Sequence, residues 1–267
     1  MKVNLHTHTA RCGHATGTDR AYVEAAIAEG LTTLGFADHM PFPFPDGYES
    51  PFRVPVAEAE AYMSSFRALR EEYKDQIQIL IGFEMEYYPL YFKEMKRLAS
   101  ELGAEYLLLA QHHIQNEYPN GSSYMGRDNH DEKEAVIYTD TLLEAMDTGA
   151  FTYLAHPDLI RYTGKDQALY EKLMRQICQE AKKHGLPLEI NFLGLREGRH
   201  YPGKRFFQIA AEEDCTIVFG SDAHSPDVVA DRQSEEIALS WVRELGLRYE
   251  PYPAVQHLQT GKAISTK

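Results

Sequence analysis

Apolar positions along the chain fall into two rhythms. Short unbroken runs read as strands: 33–37 (Thr33-Leu34-Gly35-Phe36-Ala37), 78–83, 106–110, 151–155, 186–192 and 216–220. The opening stretch Val3-Asn4-Leu5-His6-Thr7-His8 alternates apolar with polar and predicts a further strand ahead of these, seven in all. Between the runs the apolar spacing is helical, at about 20–29, 56–73, 92–102, 132–147, 167–184 and 234–245. Thr18-Asp19 caps the first of these helices and Gly30 closes it. Residues 40–55 and 116–131 are too rich in Pro, Gly and Asn for either element and predict long loops, and a loop containing Arg196 is expected after the run 186–192. The tail after Leu245 carries neither rhythm.

Unbroken apolar runs mark strands buried on both faces, the habit of parallel α/β sheets. A doubly wound open sheet and a closed barrel both satisfy that. What favours the barrel is how the strands end: six of the seven run into His, Asp or Glu (His6 and His8, Asp38-His39, Glu84, His112, His156, Asp222 and His224). In a β/α barrel all strand C-termini meet at one mouth, whereas an open sheet spreads them along an edge. The expectation is therefore an α/β, TIM-barrel-like (β/α)7 fold. No boundary, repeat or low-complexity segment divides residues 1–267, so a single domain is expected.

Composition narrows the chemistry. Of 267 residues 43% are hydrophobic and 25% charged, an ordinary globular balance. A net charge of −13 argues against long nucleic acids and anionic membranes as partners, though a small phosphorylated metabolite remains compatible if metal ions supply positive charge. Three scattered cysteines, no signal-like N-terminus and no run long enough to span a bilayer predict a cytoplasmic protein.

His6 and His8 lie two apart, so both imidazoles leave an extended backbone on the same side, and His14 follows a short turn. With His39, Glu84, His112, His156, Asp222 and His224 they make nine nitrogen and oxygen donors, too many for one tetrahedral ion and enough for two or three divalent ions. Nitrogen-rich sites suit zinc; a mixed set also accepts manganese or iron. His113 neighbours His112, and alternation allows only one of them to face the mouth. His130, His184, His200 and His257 fall on loops or helix ends and read as packing or capping residues.

On His6-Thr7-His8, Ala37-Asp38-His39, Glu84, His112, Ala155-His156-Pro157-Asp158 and Gly220-Ser221-Asp222-Ala223-His224, the chain resembles the PHP (polymerase and histidinol phosphatase) superfamily over nearly its whole length. The resemblance implies a distorted seven-stranded barrel with a trinuclear centre. One ion would take His6, His8, Glu84 and Asp222; a second would share Glu84 and add His112 and His156; a third would take His14, His39 and His224. Within the superfamily the chain looks most similar to the free-standing histidinol-phosphate phosphatases, which implies hydrolysis of L-histidinol phosphate in histidine biosynthesis. By the same resemblance Arg196 and Arg161 would hold the phosphate. Both follow strand ends, and Arg grips phosphate oxygens in a planar fork. Glu86 stands where the family pattern suggests Asp.

The expected mechanism is in-line attack on phosphorus by a metal-bridging hydroxide, with Arg196 neutralising phosphoryl charge and Asp158 or an unligated histidine as candidate proton donor to the leaving group. Asp38 is expected to orient an imidazole. Two other readings remain open: a phosphoesterase of nucleotides or other small phosphate esters, and a metal-binding module without chemistry. No P-loop is present.

Overall fold

The computed structural model describes residues 1–118, 123–258 and 262–267. The centre of the loop predicted over 116–131 and part of the tail lie outside the described residues. The strands β1 (Val3–Asn4), β2 (Thr33–Phe36), β3 (Gln78–Met85), β4 (Tyr106–Leu109), β5 (Tyr153–Leu154), β6 (Leu188–Asn191) and β7 (Thr216–Gly220) pair in chain order, all parallel. The ring closes where Thr7 bridges Ala223, with His8 N donating to Ala223 O at 2.9 Å. Asn4 reinforces this seam: its Oδ1 accepts from Ser221 N across the gap at 3.1 Å.

The sheet carries an eighth strand that the pattern did not announce. β8 (Arg248–Tyr249) pairs with the first residues of β7, Thr216 and Ile217, at the opposite end from Ala223. Seven strands therefore meet around the mouth, and β8 extends the sheet beside the start of β7. The first strand is also shorter than its alternation predicts. Asn4 Oδ1 accepts from His6 N at 3.1 Å, an Asx-type turn that ends the ladder and swings His6 inward after Leu5.

Alternation sorts each strand between two cores. Val3, Leu5, Leu80, Tyr106, Leu108, Tyr153 and Val218 fill the barrel interior. Leu34, Phe36, Ile79, Ile81, Phe83, Leu107 and Leu109 face outward under the helices. Inside, the Tyr106 hydroxyl donates to Leu5 O at 2.7 Å and lies near Phe36 O, and a Cβ at Gly35 would sit 2.4 Å from that hydroxyl. Glycine there is a matter of space. The tail supplies the floor: β9 (Val255–Gln256) and β10 (Ala263–Ile264) form an antiparallel hairpin whose Val255 is buried in the interior cluster.

The outer helices are α1 (Asp19–Ala28), α2 (Ala59–Tyr73), α3 (Phe92–Leu102), α4 (Glu132–Asp147), α5 (Gln167–His184), α6 (Phe192–Glu197), α7 (Lys204–Glu212) and α8 (Arg232–Leu245). α4 starts on a capping box between Asp131 and Glu134. α6 falls where a loop was expected. Its six residues are too short to show periodicity, and it is nucleated by Asn191, whose side chain accepts from Gly194 N. No helix of the described residues is long and apolar enough to cross a membrane.

Candidate metal centre

Glu84 lies at the middle of the mouth. Its Oε1 is 2.9 Å from His156 Nε2, 3.3 Å from His6 Nε2 and 3.5 Å from His112 Nε2. Its Oε2 is 2.9 Å from His39 Nδ1 and 3.5 Å from His8 Nε2. Asp222 Oδ1 approaches His8 Nε2 at 3.2 Å and His6 Nε2 at 3.6 Å. The His14 and His224 rings complete the group, 4.7 Å apart between centroids, with His224 stacked on His8 at 4.3 Å. All nine side chains singled out in the sequence are thus brought together. His112 continues the inward parity of Tyr106 and Leu108, while His113 turns to the cavity wall beside Phe52 and Tyr124.

A ring of outer partners aims these imidazoles. Glu189 takes His6 Nδ1 at 2.8 Å, Glu86 takes His112 Nδ1 at 2.8 Å, and backbone oxygens of Cys12 and Asp222 accept from His14 and His224. At His6, His112 and His224 Nδ1 is occupied and Nε2 left for the centre, the arrangement by which proteins fix a metal-binding tautomer, while His14 Nε2 also meets Cys12 Sγ at 3.8 Å. Asp38, expected to orient an imidazole, stands 3.6 Å from His8 Nδ1, just beyond hydrogen-bond reach, and is itself anchored by Thr9 N and Thr9 Oγ1. Sequence reasoning passed over Glu189. A Glu inside the apolar run 186–192 was the available signal, since a buried strand rarely carries an acid without a partner.

The backbone is strained at two donors. His156 has φ 29° and Asp222 φ 47°, left-handed values uncommon outside glycine and concentrated at functional sites. Electrostatics are equally skewed. Burial alone would raise Glu84 and Asp222, yet the surrounding imidazoles hold both well below the usual carboxylate range. Burial would lower His6 and His8, but the adjacent carboxylates push both up, whereas burial prevails at His39, which falls to about 3.

The donor set fits a divalent cation. His6 Nε2, Glu84 Oε2 and Asp222 Oδ1 are buried and lack a hydrogen-bond partner, a costly state that a shared cation resolves. Donor atoms of His6, His8 and Glu84, of His6, His156 and Asp222, and of His39, Glu84 and His112 lie within 4.8 Å of one another. Cys12, buried between His8 and His224, forms a fourth such group that the sequence reading did not include. A trio of Asp147, Glu180 and His184, exposed apart from the half-buried Glu180, lies away from the mouth.

Above the donors opens a cavity of about 800 Å³ whose wall includes Arg127, Arg161, Arg199, Phe52 and Tyr124. Arg161 lines the cavity, with Nη1 donating to Arg127 O at 3.0 Å. Arg196, also expected to hold phosphate, does not: both its terminal nitrogens bond to Ser221 O, with further bonds to Asp222 O and to Asp231 Oδ2 (2.6 Å), so it braces the chain behind Asp222. Arg199, just past the Gly198 cap that ends α6, reaches the cavity instead. Asp158 is also misplaced as a proton donor. It does not line the cavity; its Oδ2 accepts from Gly203 N at the start of α7, and burial raises it to about 7. His200, read as a packing residue, does line the cavity, with Nε2 2.8 Å from Leu159 O.

Comparisons with known proteins agree with this geometry. The PHP domain model matches residues 4–192. A probable histidinol-phosphatase of Deinococcus radiodurans is 29% identical over 249 residues, covering 91% of this chain and 93% of the relative. The histidinol-phosphatase of Bacillus subtilis is 25% identical, covering 84% and 94%. The crystal structure of histidinol phosphate phosphatase from Lactococcus lactis, complexed with zinc, L-histidinol and phosphate, superposes with a TM-score of 0.71 at 20% identity, covering 94% of this chain and 96% of that one. The barrel seam, the strand-end donors and the family match converge on one assignment: this chain belongs to the PHP domain family.

Proposed function

We propose that the protein is a metal-dependent phosphomonoesterase that hydrolyses L-histidinol phosphate to L-histidinol and phosphate. The observation that carries the reading is the stacking of two layers, buried unpartnered His and carboxylate donors below and a cavity lined by three arginines above. Histidinol-phosphatase relatives that align over most of both chains support the substrate.

His6, His8, His14, His39, Glu84, His112, His156, Asp222 and His224 would hold two to three divalent ions, zinc first among them, with Glu84 shared. Such ions, when bound, lower the pKa of water and offset charge on phosphoryl oxygens. The chain's own contribution is position. Arg161, Arg127 and Arg199 would receive the phosphate from the open side, being the guanidinium groups among the described lining residues. Arg199 is held by Glu197 and by the Tyr201 hydroxyl at 2.6 Å, so its fork arrives pre-aligned. Phe52 and Tyr124 would flank the organic part of the ester. Residues 1–267 would act as one domain, because Asp222 and His224 come from beyond the residues matched by the family model.

The test is phosphate release from L-histidinol phosphate and from AMP by protein of measured zinc content. Strong preference for histidinol phosphate is the expected result. Release from AMP alone keeps the chemistry and replaces the substrate by a nucleotide; release from neither, with zinc bound, leaves a metal-binding module.

A further inference from the structure

β6 ends in no donor, the one strand of the seven that does not. It nevertheless carries Glu189, fully buried, with both carboxylate oxygens occupied. Oε1 accepts from His6 Nδ1 at 2.8 Å; Oε2 accepts from the His156 backbone N at 3.0 Å and from Asn191 Nδ2 at 2.9 Å. The same Asn191 Nδ2 reaches Asp222 Oδ2 at 3.1 Å. One carboxylate and one amide therefore touch three separate donors of the centre. Two of them, His156 and Asp222, have left-handed backbone.

We propose that Glu189 and Asn191 form a positioning cradle for the metal centre, and that residue 220 is glycine to admit it. The proposal rests on the metal reading above. Glu189 fixes the proton of His6 on Nδ1 and so leaves the Nε2 lone pair facing Glu84 and Asp222. Its second oxygen pins the strained peptide nitrogen of His156, and Asn191 carries the same constraint on to Asp222. In register, Glu189 lies opposite Val218 and Asn191 opposite Gly220. A Cβ on Gly220 would fall 1.7 Å from Glu189 Oε1, so any side chain there expels the carboxylate from its place. Gly220 has no positive φ, and its constraint is room alone.

The experiment measures zinc affinity of chelator-stripped protein by competition with a chromophoric chelator, with kcat and KM for histidinol phosphate alongside. Glu189→Gln, nearly isosteric, is expected to lose about 10- to 100-fold in zinc affinity, the range typical of outer partners of metal ligands. Activity should return with excess zinc at unchanged KM. Gly220→Ala should show the same loss, and Gly220→Ala with Glu189→Asp should recover part of it by drawing the carboxylate back from the new methyl. Asn191→Ala, which leaves the His6 contact intact, should lose less. Wild-type zinc affinity in Glu189→Gln overturns the cradle while leaving the metal reading standing. If that variant does not fold, wild-type affinity in both Asn191→Ala and Gly220→Ala overturns it instead. Failure of the unmodified protein to bind zinc overturns both readings together.

Discussion

Arg53 and Glu86 form an ion pair at 2.6 Å, closed off from solvent, that ties the long loop over the mouth to the floor of the metal centre. Glu86 passes the contact on to His112, and Arg53 is held from its other side by Glu117 at 2.9 Å and by Met40 O at 3.1 Å. The Glu86 departure from the family pattern is thus a complete local circuit: a longer acid that reaches both an imidazole and a guanidinium.

Arg53→Met is expected to destabilise the fold by about 3–5 kcal/mol, because it strands two carboxylates in the interior. Urea denaturation measures this, and a loss below 1 kcal/mol would mean the carboxylates have found other partners. The pH dependence has a definite sign. Burial would raise Glu86, but Arg53 and His112 hold it well below its ordinary value of 4.5. A carboxyl depressed in the fold contributes stability above its unfolded pKa and loses it as pH falls. Glu86→Gln should therefore flatten the decline in stability below about pH 4.5.

Asp158 runs the opposite way. Burial raises it from 3.8 to about 7, despite the bond from Gly203 N. A carboxyl raised in the fold favours the folded state below its unfolded pKa, and that advantage is lost as pH climbs to the folded value. Asp158→Asn removes this slope, and above pH 7 the variant should be the more stable by up to roughly 4 kcal/mol. Because Asp158 does not line the cavity, kcat for histidinol phosphate should stay near the unmodified value. A large fall in kcat would restore Asp158 as the proton donor.

Arg199 and Arg196 separate cleanly in kinetics. Arg199→Ala or Arg161→Ala should raise KM for the phosphate ester roughly 10- to 100-fold with zinc content unchanged, the loss of a charge-assisted contact made to substrate. Arg196→Ala should leave KM nearly unchanged and weaken zinc retention, since its bonds brace the carbonyl of Asp222. Reversed behaviour of the two would return phosphate recognition to Arg196.

What the sequence disclosed and what it withheld follow from the same physics. Strand-end donors were legible because a barrel gathers strand ends whatever the helices do; alternation left His112 and His113 undecided, the family resemblance pointed to His112, and the inward parity of Tyr106 and Leu108 in the structure agrees. Arg196 was misassigned because its stretch folds as α6: a helical turn, invisible in six residues, sends it behind Asp222 and gives Arg199 the cavity. Glu189 was passed over because its partners, His6 and His156, lie 183 and 33 residues away in the chain, and only the β6–β7 register with Gly220 explains how an acid fits there. The tail had no rhythm to read because each of its strands is two residues long and takes its pattern from the barrel floor.

That floor offers a prediction that separates stability from catalysis. Val255 of β9 is fully buried among Val3, Leu80, Tyr106 and Tyr153, at the end of the barrel opposite the donors. In barrels of this kind the lower face serves stability and the upper face chemistry. Val255→Asp places a carboxyl where no partner is supplied, which should lower stability by several kcal/mol and the melting temperature with it. At a temperature where the variant is still folded, its zinc affinity and its kcat should match those of the unmodified protein. If zinc affinity fell in step with stability, the floor and the mouth would be coupled through the interior, with Tyr106, whose hydroxyl holds the Leu5 carbonyl just below His6, as the connecting side chain.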